Sequence, residues 1–183
     1  NGKGKVLELD THQLQQLDAT LPLPNWPEPC GVPELEQVIA KWPDLKSIQL
    51  EVKTADKAIL ERIGRGLATL IDRFTLLNNA VVTSSDQNLL SIMHRIAPQV
   101  RRGFVAERFT RDPLEVCLNH HCSHLVINHH RCTPGMIDAA HDLGLKVSTW
   151  TVNEVNAARR LQHWGVDSII TDVPSLLLKH LHV

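Results

Sequence analysis

From Leu45 to the C-terminus, apolar runs of about five residues alternate with longer segments in which apolar positions recur every three or four residues. The runs predict strands near Ser47–Lys53, Ala80–Ser84, Arg102–Ala106, Leu125–Asn128, Lys146–Thr151 and Ser168–Thr171. The intervening segments predict helices near Ala55–Arg73, Asp86–Ile96, Pro113–His120, Pro134–Leu143 and Glu154–Trp164, with a last short helix after Pro174. Turn chemistry supports these boundaries. Gly144 and Gly165 can take positive φ where a helix ends before a strand, and Thr133-Pro134, Asn153 before Glu154, and Asp172-Val-Pro174 read as helix starts.

Before Leu45 the pattern is different. Six of the ten prolines fall between residues 22 and 43, in the run Leu21-Pro-Leu-Pro-Asn-Trp-Pro-Glu-Pro and at Pro33 and Pro43. Proline cannot donate to a ladder and breaks helix interiors, so this stretch is expected to be loop with short helical pieces. One piece starts at Thr11, with Thr11 as its cap, and another has Pro33 in its first turn. The expected division is 1–44 as lead-in and insertion, and 45–183 as the strand-helix body.

Strand-helix alternation with connections of this length implies parallel strands and an α/β class. A six-stranded doubly wound sheet usually opens on a Gly-rich phosphate loop, whereas the first unit, Leu50-Glu51-Val52-Lys53-Thr54, carries no Gly. A (β/α)8 barrel needs eight strands. A barrel lacking its first two units and entered through a Pro-rich insertion explains the strand count, the irregular start and the missing Gly loop together.

Charge and composition narrow the function. Nineteen Lys and Arg balance 20 Asp and Glu, which leaves no overall cationic field and makes nucleic acid a poor partner. No apolar run approaches the roughly 18 residues of a membrane helix, so no membrane insertion is expected. The first residues lack the apolar core of a signal peptide, and four cysteines are too few for a disulfide scaffold, which suits a cytoplasmic location.

Glu51 and Lys53 lie two apart at a strand's C-terminal end, so both point to one side, which in a barrel is its mouth. A carboxylate and an ammonium there could hold a divalent cation and an anionic oxygen, although an ordinary Glu–Lys pair fits the same spacing. Trp150, at another strand end, suits an apolar pocket wall or plain core; Asn153 suits a helix cap. Asp172 would repel phosphate, and capping the helix at Pro174 is its expected role. Cys117, His120, His121, Cys122, His124, His129, His130 and Cys132 include zinc-compatible residue types but no Cys-x2-Cys pair, and they straddle three elements.

Several segments together resemble the glycerophosphodiester phosphodiesterases. They are Asn1-Gly-Lys-Gly-Lys-Val6, Leu14-Gln-Gln-Leu-Asp18, Pro33-Glu-Leu-Glu-Gln-Val38, Ile48-Gln-Leu-Glu51-Val-Lys53, Val82-Thr-Ser-Ser-Asp86 and Gly103-Phe-Val-Ala-Glu107. The most specific are Leu145-Lys-Val-Ser-Thr-Trp150-Thr-Val-Asn153 and Trp164-Gly-Val-Asp-Ser-Ile-Ile-Thr-Asp172-Val-Pro174. The resemblance implies a (β/α)8 TIM barrel of which strands 3–8 are present. It also implies cleavage of a small-molecule glycerophosphodiester to sn-glycerol 3-phosphate and an alcohol, with one divalent cation, Mg2+ or Ca2+. It makes Glu51 a metal ligand and Lys53 the neutralising partner of the phosphate. Trp150 becomes the wall near the glycerol, and Asn128 a substrate-binding rim residue. The family's His-Arg pair, its second-strand Glu and Asp, and a further His correspond to positions ahead of residue 1. No catalytic histidine is therefore expected within these 183 residues, which alone are expected to be inactive. The rival expectation is a non-catalytic module of the same fold that binds zinc or a partner through the Cys/His cluster; a homo-oligomer is left open.

Overall fold

A computed structural model describes residues 2, 4–21, 27–42, 44–107 and 112–181. It comprises two compact units, Asn1–Leu45 and Lys46–Val183. The first holds a 3-10 turn at Val6–Glu8 and two short helices, α1 (Thr11–Gln15) and α2 (Leu35–Ala40). Asp10, rather than Thr11, caps α1: its carboxylate accepts from the Gln13 N–H at 2.8 Å, and the Gln13 side chain answers the Asp10 N–H at 2.9 Å. This reciprocal box satisfies two orphan amides, which a hydroxyl one position later would not. The cap of α2 is Glu34, so Pro33 stands before the helix rather than in its first turn. Positions 22–26 of the Pro-rich run, and Pro43, lie outside the described residues.

The second unit is a regular βα series: β1 (Ile48–Glu51), α3 (Lys57–Arg73), β2 (Ala80–Ser84), α4 (Gln87–Ile96), β3 (Arg101–Ala106), α5 (Pro113–Asn119), β4 (His124–Asn128), α6 (Pro134–Asp142), β5 (Lys146–Trp150), α7 (Val155–His163), β6 (Ser168–Ile169) and α8 (Pro174–Leu178). The six strands form one parallel sheet in chain order. One hydrogen bond shows that the sheet is curled. Gln49 Nε2 on β1 donates to Ser148 Oγ on β5 at 2.8 Å. Four strand spacings in a flat sheet would separate them by about 19 Å. The inner face has therefore closed on itself into a half-barrel, as the sequence pattern anticipates.

Two faces of the sheet carry different chemistry. Outward residues Phe104, Ala106, Leu125, Ile127 and Val147 pack with Leu90, Cys117, Ile137, Ala140, Ala158 and Leu161 of the helices into one buried cluster. Burial of this kind is worth about 25 cal/mol per Å2 of apolar surface and fixes the strand register. Inward positions are more polar, including Gln49, Thr83, His124 and Ser148. Gly103 is required inside: a Cβ there would lie 2.9 Å from Thr83 Cγ2 and 3.0 Å from His124 Cβ.

Strand ends differ from the sequence pattern where side chains capture the backbone. β1 ends at Glu51; beyond it the Val52 N–H still donates to the Thr83 carbonyl at 2.8 Å, while the Val52 carbonyl accepts from the Ser84 hydroxyl at 2.7 Å. β6 ends at Ile169, and Thr171 turns its hydroxyl to Asn153 Oδ1 at 3.1 Å. Asn153 is thus not a helix cap, and neither is Asp172. Asn153 Nδ2 donates to Asp172 Oδ2 at 2.9 Å, while Asn153 Oδ1 accepts from the Asp172 N–H at 3.0 Å. The two side chains clasp the loops after β5 and β6 together. Thr133 does cap α6, and Gly144 and Gly165 have φ of 73° and 90°.

Candidate active site

The C-terminal ends of the strands surround a cavity of about 670 Å3. Strand alternation decides what enters it. Gln49, Glu51 and Lys53 from the β1 end share one parity, as do Val105 and Glu107 from β3, and Trp150 ends β5 with its indole on the same side. Lys53 Nζ lies 2.5 Å from Glu51 Oε1, with side chains 82% and 43% exposed. A contact so open to water adds little stability. It leaves both groups free to exchange partners with a ligand.

Trp150 is half-buried, and its Nε1 has no hydrogen-bond partner among the described residues. Its carbonyl accepts from the His129 N–H at 2.9 Å. Asn128 pairs with Trp150 across the ladder but opens into a neighbouring cavity of about 440 Å3, with His130, Arg131 and Trp150. Its Oδ1 accepts from the His130 N–H at 3.0 Å. The structure therefore brings Glu51, Lys53 and Trp150 into one cavity and sets Asn128 beside it.

Glu107 lines the main cavity and was not singled out by sequence reasoning. The signal was available: it continues the inward parity of Gly103 and Val105 one step past β3. Glu51 and Glu107 are oxygen donors of the type that Mg2+ or Ca2+ takes. Among the described residues, no group of three His, Cys, Asp or Glu side chains is placed to hold a metal ion. Glu51 thus offers a carboxylate of the right type, but the described residues do not furnish a coordination shell for a hard cation.

The Cys/His cluster does not converge. Cys117, His120, His121 and Cys122 sit where α5 leads into β4, whereas His129, His130 and Cys132 follow the other end of that strand. Five residues of strand separate the groups by about 16 Å, far beyond the roughly 2 Å bonds of a zinc site. His124 faces inward between them, and burial, with Arg101 and Lys146 nearby, lowers its pKa to about 4. Burial also pushes the Cys132 thiol up to about 11. Among the described residues, no helix is long and apolar enough to cross a membrane.

The model of the Glycerophosphoryl diester phosphodiesterase family matches residues 1–176. The Bacillus subtilis (strain 168) protein YhdW is 26% identical over 98% of this chain and 74% of its own length. Among solved structures, a Silicibacter pomeroyi DSS-3 protein matches with a TM-score of 0.73 and 26% identity, over 82% of this chain and 56% of that one. An Oleispira antarctica phosphodiesterase in complex with the product sn-glycerol-3-phosphate matches with a TM-score of 0.83 and 18% identity, over 98% of this chain and 73% of that one. The chain thus spans about three quarters of YhdW and just over half of the Silicibacter protein. With six parallel strands curled into part of a TIM barrel and a family match across nearly its whole length, the chain belongs to the glycerophosphoryl diester phosphodiesterase family of enzymes.

Proposed function

We propose that this chain forms the phosphate-binding side of a metal-dependent glycerophosphodiester hydrolase that releases sn-glycerol 3-phosphate and an alcohol. The observation that supports it is the meeting of Glu51, Lys53 and Trp150 in one cavity at the strand C-termini. The Oleispira neighbour of the same fold is in complex with sn-glycerol-3-phosphate.

Attack on a phosphodiester loads negative charge on the nonbridging oxygens and leaves an alkoxide that must be protonated. Lys53, on a flexible stem at the mouth, offsets that charge by donating to a nonbridging oxygen. Glu51 would hold the divalent cation, Mg2+ or Ca2+, which when bound polarises a phosphoryl oxygen. Trp150 presents an apolar face to the glycerol carbons. Asn128, its carbonyl oxygen engaged by His130, would offer amide N–H groups to the departing alcohol. No histidine lines the main cavity among the described residues. Proton transfer is therefore not assigned to a side chain of this cavity, and the enzyme is proposed to be cytoplasmic.

Calorimetric titration of sn-glycerol 3-phosphate into the chain, with and without magnesium or calcium, tests this reading. Binding is expected, with affinity lowered about tenfold or more by Lys53→Ala, the scale of one lost charge-assisted contact. Where magnesium or calcium strengthens that binding, Glu51→Ala is expected to abolish the enhancement. Equal affinity of wild type and Lys53→Ala would sink the assignment of Lys53.

A further inference from the structure

On the opposite end of the half-barrel, the chain leaves α5 through a complete Schellman motif. The Cys122 N–H donates to the Cys117 carbonyl at 2.8 Å, and the His121 N–H to the Leu118 carbonyl at 3.1 Å. His121 takes the left-handed position with φ of 50°, where glycine is usual, and its ring stacks on His94 at 4.3 Å. This motif brings the residue two beyond the helix cap against one in the last turn, ordinarily as an apolar contact. In this chain both positions are cysteine.

The surroundings of the pair are unusual in charge. Arg102, 5% exposed, passes beneath the turn from β3. Among the described residues its guanidinium donates to carbonyls alone: Val100 at 2.7 Å, His121 at 2.9 Å, Pro98 at 3.1 Å and His120 at 3.4 Å. Two of those carbonyls belong to the loop between the cysteines. The buried cation thus sits beside Cys122, and among the described residues no carboxylate is bonded to it. Cys117 is fully buried and Cys122 partly exposed, so an oxidant reaches Cys122 first.

We propose that Cys117 and Cys122 form a reversible redox dithiol, with Cys122 as the reacting sulfur and Cys117 as the resolving one. The 2.8 Å backbone bond between the same two residues limits their Cα separation to under about 7 Å, the distance beyond which a disulfide cannot close. Cys122 is also held toward its thiolate by the adjacent Cys117 thiol and by Arg102, while Cys117 is pushed the other way by the same contact and by burial. The oxidant is a hydroperoxide. The Cys122 thiolate attacks one peroxide oxygen, the O–O bond breaks, and the departing oxygen leaves as water or alcohol after taking a proton. Sulfur is oxidised to the sulfenic acid. The Cys117 sulfur then displaces hydroxide to form the S–S bond, and its proton leaves with the hydroxide as water. In sum, two thiols and one hydroperoxide give one disulfide, one alcohol or water, and one water.

The test uses the full chain carrying Cys30→Ser, which removes the exposed thiol of the other unit. After one equivalent of hydrogen peroxide, the intact mass is expected to fall by about 2 Da, the loss of two hydrogens. Peptide mapping is expected to join Cys117 to Cys122, and a dithiol reductant to reverse the change. With Cys117→Ser added, a dimedone adduct is expected on Cys122 and on no other cysteine. If that variant does not fold, the peptide map of the Cys30→Ser chain decides alone. Two free alkylatable thiols after peroxide, or a bridge formed only in denaturant, would show the pair to be an apolar contact and overturn the proposal.

Discussion

Asn153 is where a local role and a distant one give opposite consequences for a single substitution. Asn153→Asp keeps a good capping residue, since Asn and Asp cap helices almost equally well, so a cap would lose at most a few tenths of a kcal/mol. The clasp seen in the structure behaves differently. A carboxylate in place of the Asn153 amide would keep the acceptor for the Thr171 hydroxyl and the Asp172 N–H but lose the donor that meets Asp172 Oδ2 at 2.9 Å. A hydrogen bond to a charged group is worth about 1.5–3 kcal/mol, and exposure brings it to the low end. Two carboxylates in its place repel by about 1 kcal/mol in water at 4 Å. The expected loss is about 2 kcal/mol, measured as the urea midpoint at constant slope. Salt should shrink it. Adding Asp172→Asn to the Asn153→Asp variant should return much of it, because donor and acceptor are then exchanged. A neutral Asn153→Asp, or no rescue by the second change, would refute the clasp.

Three other outcomes follow from the structure. His124 is held neutral by burial, with Arg101 and Lys146 facing it and Asp167 opposing them weakly; its ring nitrogen meets the Ser123 hydroxyl at 2.9 Å. Its folded pKa of about 4 lies below the ordinary 6.5, so the unfolded chain binds the extra proton first. Stability is therefore full above about pH 6.5 and falls as pH drops toward 4, and His124→Gln should flatten that part of a urea-midpoint profile. His94 and His120, also lowered by burial, act in the same direction and leave a residual slope. Gly103→Ala should cost about 1–3 kcal/mol through overpacking against Thr83 and His124; thermal melts at least as stable as wild type would show that the inner face has room. Trp150→Ala should weaken sn-glycerol 3-phosphate binding with the fold intact by circular dichroism, and unchanged affinity would remove it from the glycerol wall.

The order of strands and helices was legible because the outer face of each strand needs an apolar run and each helix an apolar stripe. Glu51, Lys53 and Trp150 were legible for a related reason: parity and position at a strand end fix which side they face. What escaped was the choice of partner. Asp10 and Thr11 both have capping oxygens, and only the reciprocal bond with Gln13 separates them. Asn153 and Asp172 each sit before a helix, yet the loops bring them within 2.9 Å of each other. Gln49 and Ser148 meet only because the sheet curls, and no local pattern encodes a contact across 99 positions. The Cys/His segment looked like one cluster because it is continuous in sequence, whereas β4 runs through it and carries its halves apart.

Hydrolysis by the natural full-length protein, followed as sn-glycerol 3-phosphate released from a glycerophosphodiester with magnesium or calcium, tests the central claim most directly when wild type is set beside Lys53→Ala. Loss of one electrostatic donor aimed at the phosphate is expected to lower kcat by about 10^2–10^3-fold, or roughly 2.7–4 kcal/mol, with unchanged thermal stability. A Lys53→Ala enzyme that turns over at the wild-type rate would contradict it.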